Sequence, residues 1–122
     1  MLRASSTNEG VEIDLSAVNG DASGDAGVAH GERLVAFTEA VMGDDEAVLK
    51  RERQALLDAL GPAAFVDACG VVGAFNVVDR IADAIGIPLD GPLQGMSVGV
   101  RQELGLARFA AAANTPGATE GR

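Results

Sequence analysis

The stretch Pro62-Ala63-Ala64-Phe65-Val66-Asp67-Ala68-Cys69-Gly70-Val71-Val72-Gly73-Ala74-Phe75-Asn76-Val77-Val78-Asp79-Arg80-Ile81-Ala82-Asp83-Ala84-Ile85-Gly86 decides the fold. Ala64, Ala68, Val71, Phe75, Val78, Ala82 and Ile85 recur at alternating spacings of four and three, which is the seam of a helix. Pro62 suits a first helical turn, and Gly86 suits the residue just past the end. Around the middle of the run the apolar residues cover almost every side, so burial of one face does not account for them. Such a helix is normally enclosed by several neighbours. Gly70 and Ala74, four residues apart, are small enough to admit another backbone. With about eighty residues left to build a core, the chain has too few helices to supply that enclosure itself, so a homo-oligomer is expected.

Working towards the N-terminus, Gly61 ends a preceding helix whose buried stripe is Leu49, Leu56 and Leu60, with Asp44 or Asp45 as its N-cap. Before it, Leu34, Val35, Phe37, Ala40, Val41 and Met42 mark a helix that runs from Gly31 to a break at Gly43. Residues 1–30, rich in Ser, Gly, Asp and Asn, read as a loosely ordered tail with one short alternating piece, Val11-Glu12-Ile13-Asp14-Leu15. Towards the C-terminus, two prolines and a glycine make 87–92 irregular. A last helix over about 97–113 would turn Val100, Leu104, Ala107 and Ala111 inward, and residues 114–122 form a flexible tail. The expected fold is all-α: a small bundle of about four helices over residues 31–113.

Composition agrees. Aromatic residues make up only 3 % of the chain, with no Trp or Tyr, so the core is aliphatic and suits close-packed helices better than a β-sandwich. The 18 acidic residues against 9 basic give a net charge of −9, which repels phosphate backbones and anionic lipids. Lys50, Arg51 and Arg53 lie among Glu46 and Glu52 and read as a solvated helix face, with Glu46 pairing Lys50 one turn on. Neither nucleic acid nor membrane is an expected partner. The start lacks an apolar signal segment, and the longest apolar run is interrupted by Asp67 and Asn76, so a cytoplasmic protein is expected.

Candidate chemistry is sparse. A thiol peroxidase needs one thiolate to attack peroxide, a second thiol to resolve the sulfenic acid, and a positive field to activate the first. Cys69 is the sole cysteine, its sequence neighbours are apolar, and it is read as a buried structural thiol. His30, the sole histidine, lacks partners at metal-ligand spacing and reads as a loop residue. Asp21 to Asp25 lacks the later ligands of a calcium loop. Neither a metal nor another cofactor is expected. Asn76 and Arg80 share a helix face, with Asp79 nearby and Asp83 placed to hold Arg80 across one turn.

The run from Phe75 to Asp90 resembles the C-terminal helix of carboxymuconolactone decarboxylase family proteins of the alkylhydroperoxidase-D-like type. Residues 51–68, the run Glu32 to Glu39, and more weakly Leu104 to Phe109 are similar to other helices of that family. The resemblance implies part of an alkylhydroperoxidase-D-like fold, with Asn76 and Arg80 matching the Phe-Asn-x-x-x-Arg signature in a structural or pocket-edge role. The family's peroxidase chemistry resides in a C-x-x-C-x-x-x-H helix, to which nothing here corresponds convincingly. Laying Ser23, Ala26 and His30 on that pattern puts His30 only seven residues before Phe37, too close for the intervening helices. A truncated or degenerate member without its own peroxidase activity is expected. The alternatives are an active enzyme using His30 and Arg80, and an acidic subunit completed by a partner.

Overall fold

In a computed structural model, which describes residues 2–20, 24–115 and 117, the chain is helical throughout its regular structure. Five α-helices occur among the described residues: α1 (Leu2–Glu9), α2 (Gly31–Met42), α3 (Glu46–Ile85), α4 (Gly91–Met96) and α5 (Val98–Glu103). Short 3-10 turns cover Leu15–Asn19, Leu106–Arg108 and Ala110–Asn114. The all-α reading of the sequence holds. The chain divides into two compact units, Met1–Ala74 and Phe75–Arg122.

In the first unit, α2 and the start of α3 form where the periodicity puts them. Asp45 caps α3, its Oδ1 accepting from the N–H groups of Ala47 (2.9 Å) and Val48 (3.1 Å). α3 is not one straight rod. Gly61 sits at φ 79° and ψ 172°, a conformation essentially reserved for glycine, so the helix breaks there and Pro62 starts a second limb. On that limb Phe65 meets Phe37 of α2, the ring centroids 5.7 Å apart and the planes tilted by 60°. Phe37, Ala40 and Leu56 are buried, and Leu56 is fully enclosed.

The described part of residues 1–30 carries more local order than a loose tail. α1 precedes a turn in which Asp14 caps Leu15–Asn19, its Oδ1 accepting from the Ser16 N–H at 2.9 Å. The Ser16 hydroxyl and then its N–H hold the Asp14 carboxyl below its ordinary pKa. Because that pKa is depressed by folding, its contribution is present above the unfolded pKa and is lost as pH falls through the folded one. Leu15 is buried, the Asp14 N–H donates to the Ala26 carbonyl at 3.0 Å, and a side chain at Gly27 would strike the Glu12 carbonyl. Capping and a close backbone approach supply this order, and neither has an apolar signature in sequence. Residues 21–23 lie outside the described residues, as do most of 114–122.

In the second unit, residues 75–85 finish α3, and Gly86 at φ 62° closes it. The Ile87 N–H donates to the Ala82 carbonyl (3.1 Å) and the Gly86 N–H to the Asp83 carbonyl (3.2 Å). The irregular segment is shorter than expected, because Asp90 Oδ1 accepts from the Leu93 N–H at 3.0 Å and starts α4 with Pro92 in its first turn. The single last helix expected over 97–113 is instead α5 followed by 3-10 turns. Gly105 at φ 59° leaves the helical region after Leu104, and Ala107 and Ala111 are exposed. Thr115 is tied in, its hydroxyl accepting from the Leu89 N–H at 2.8 Å. Leu104 is the sole apolar side chain buried among the described residues of this unit.

Leu56→Ala is expected to cost about 2–5 kcal/mol in urea unfolding, through lost burial and the cavity left behind. Gly61→Ala is expected to cost about 1–3 kcal/mol, because alanine is strained at that backbone conformation.

Candidate functional site

In the first unit, α2 and the start of α3 bound an open hollow of about 280 Å³. Ala40 and Val48 line it with four carboxylates, those of Glu39, Asp44, Asp45 and Glu52, and with Arg51. Arg51 Nε lies 2.8 Å from Glu52 Oε1, so this pair ties the charge cluster together where Glu46 and Lys50 were expected to do so. Asp45 is occupied in capping α3. Sequence reasoning did not single out this hollow; its one signal was the acidic pair before a helix, which capping explains. Among the described residues no group of three His, Cys, Asp or Glu side chains is placed to hold a metal.

His30 is exposed in the same unit, at φ 59° just before α2. Its side chain makes no capping hydrogen bond; Asp25 does so instead, its Oδ1 accepting from the Glu32 N–H at 3.1 Å. Cys69 is exposed on the second limb of α3, so the burial expected of it is not supplied by its own chain. The same holds for the close approach expected at the small residues, since a side chain at Gly70 or Gly73 would meet open space. The expectation read apolar character as burial, and among the described residues of this unit no element covers this part of the helix.

In the second unit the structure brings together two of the three polar residues singled out. Arg80 Nε donates to Asn76 Oδ1 at 2.9 Å, whereas Asp83 does not hold Arg80. A long side chain on a helix leans towards the N-terminus, which favours the residue four before over the one three after. Asn76 is half-buried, while Asp79, Arg80 and Asp83 are exposed. At 100° per residue these four share one side of the helix. Phe75, Val77, Val78, Ile81 and Ile85 occupy the rest of its circumference and are also exposed, Phe75 to 64 % and Ile85 to 68 %.

By length and composition α3 qualifies as a candidate membrane span, which the interruptions at Asp67 and Asn76 had seemed to preclude. Mostly buried core helices of soluble proteins have the same length and composition. Comparison with known proteins finds no matching family model, no matching curated protein and no matching solved structure.

An aromatic-disulfide thiol reagent is expected to titrate one thiol per chain at Cys69 without denaturant in dilute protein. Asn76→Ala is expected to change unfolding stability by less than about 0.5 kcal/mol, because it removes only an exposed side-chain bond. Chemical denaturation checks that value.

Proposed function

We propose that this protein is a helical assembly domain that lacks thiol-peroxidase chemistry of its own and completes its packing by binding further copies of itself. The observation that carries the reading is the exposed apolar side of residues 75–85 of α3, within the second unit: Phe75, Val77, Val78, Ile81 and Ile85 are each more than half exposed. Monomeric soluble proteins rarely leave contiguous apolar surface of this kind uncovered. The run beginning at Phe75 resembles the C-terminal helix of carboxymuconolactone decarboxylase family proteins, and on this reading the chain is a degenerate relative. Asn76 and Arg80 then serve structure, their mutual hydrogen bond stiffening the polar side of the helix.

Absence of peroxidase chemistry is supported by the lone thiol. Cys69 has no second cysteine to resolve a sulfenic acid. An enzyme working through His30 and Arg80 is less well supported, since Arg80 Nε is engaged by Asn76 and the exposed His30 side chain makes no capping hydrogen bond. The membrane reading, which the length of α3 favours, is opposed by Asp67, which lies mid-way along the apolar run 61–78 and costs about 2.5–3.5 kcal/mol at a bilayer centre. A cytoplasmic assembly domain uses this residue at no such cost.

Sedimentation equilibrium over a range of concentrations is expected to give a mass that is a multiple of 12.3 kDa. A monomer at every concentration contradicts the reading, and a monomer that binds an unlike chain supports the acidic-subunit alternative. Peroxide consumption with a thiol reductant is expected to stay at the uncatalysed rate. Turnover that falls on replacing His30 or Arg80 contradicts the proposed lack of activity.

A further inference from the structure

Within the second unit, residues 75–85 of α3 carry Phe75, Val78, Ala82 and Ile85 at spacings of three, four and three. This is the seam that two helices share when they pack knobs into holes. Ile81 and Val77 flank the seam on one side, and Asp79 borders it on the other. Phe75, Val77, Val78, Ile81 and Ile85 are each more than half exposed, and no charged residue lies on the seam itself. We infer that this segment pairs with the same segment of a second copy in an antiparallel, two-fold arrangement, with Phe75 against Ile85 of the second copy and Val78 against its Ala82. The inference rests on the proposed self-association and names its surface and register.

Three features select this pairing. The first is volume: the antiparallel register sets each large seam residue against another at the ends and each valine against an alanine in the middle. A parallel pair would stack Ala82 on Ala82 and leave a gap between the Val78 and Ile85 layers. The second is electrostatic, because antiparallel helices align their dipoles favourably. The third is area. The five exposed side chains present on the order of 500 Å² of apolar surface, enough for the core of an interface that takes about 800 Å² from each chain.

Other occupants fit less well. Residues 75–85 span about 16 Å of helix, half the thickness of a bilayer core. The polar side offers one Arg among Asp79 and Asp83, the wrong sign for anionic lipid or nucleic acid. Across the two-fold axis Ile81 meets Ile81 on one flank and Asp79 meets Asp79 on the other. The flanking carboxylates make the pairing salt-dependent, and added salt strengthens it.

The test is cysteine cross-linking of the full chain in a Cys69→Ser background, mixing one preparation carrying Phe75→Cys with another carrying Ile85→Cys. Residues 75 and 85 lie about 15 Å apart along the helix, so an antiparallel pair links only unlike chains. A dominant mixed disulfide dimer is the expected result. Links between like chains overturn the register in favour of a parallel pair. Absence of any link in chains that still sediment as oligomers overturns the surface while leaving self-association standing, whereas sedimentation as monomers removes the underlying reading itself. Ile81→Cys in the same background provides a second arm that leaves the seam intact, and it is expected to link to itself across the axis. Asp79→Asn is expected to tighten association about twofold by removing the opposed carboxylates. Unchanged association counts against the register.

Discussion

The left-handed backbone at Gly61 is the constraint on which the first unit depends. Without it, α3 would continue as one rod and carry its second limb in the direction of the first. With it, Phe65 comes to rest on Phe37, and an aromatic contact joins α2 to a helix limb that starts twenty residues beyond its end. Glycine is required there because a Cβ is strained at that φ and ψ, and not because space is short: a side chain at Gly61 would meet nothing within 4 Å. Pro62 reinforces the break, since it needs no N–H partner and cannot extend a helix behind it. The cost of a glycine in the chain is offset by burial of Phe37.

The second unit faces a different constraint. It buries Leu104 and little else that is apolar among its described residues, and it leaves Phe75, Val77, Val78, Ile81, Ile85, Met96 and Phe109 largely in the open. Ordering this many residues costs about 1–2 kcal/mol of backbone entropy each, and local caps do not offset that. Asp90 and the Gly86 closure fix where helices begin and end, but they do not supply a core. A second chain laid on the exposed side of α3 would provide one. On residues 75–85 the polar side is closed upon itself by the Asn76–Arg80 bond, while the apolar side is open to the second copy that the proposed assembly would place there.

Much of this was legible in the sequence wherever a single residue type dictates backbone geometry. Gly61-Pro62, Asp45 and Gly86 marked helix ends correctly because left-handed backbone and side-chain capping have narrow residue requirements. The order in the described part of 1–30 escaped notice because it rests on Asp14 capping a 3-10 turn, Asp25 capping α2 and Gly27 lying against Glu12, in a composition that reads as a tail. The spacing of Val100, Leu104, Ala107 and Ala111 reads as one helix, whereas α5 ends before the left-handed Gly105 that lies between them. Cys69 shows the opposite failure: apolar neighbours suggested burial, yet burial depends on what lies across from a helix, and sequence periodicity does not say whether that neighbour is in the same chain. Arg80 chose Asn76 over Asp83 for a reason of side-chain direction that spacing alone does not contain.

The central claim is that the apolar side of α3 is stabilised by another copy of the chain. Hydrogen–deuterium exchange of the amides of residues 75–85, followed at low and high protein concentration, addresses it most directly. The account requires protection of these amides to rise with concentration while amides around Leu56 stay equally protected at both. Strong protection of residues 75–85 that is the same at every concentration would mean that the isolated chain holds this helix unaided, and would contradict it.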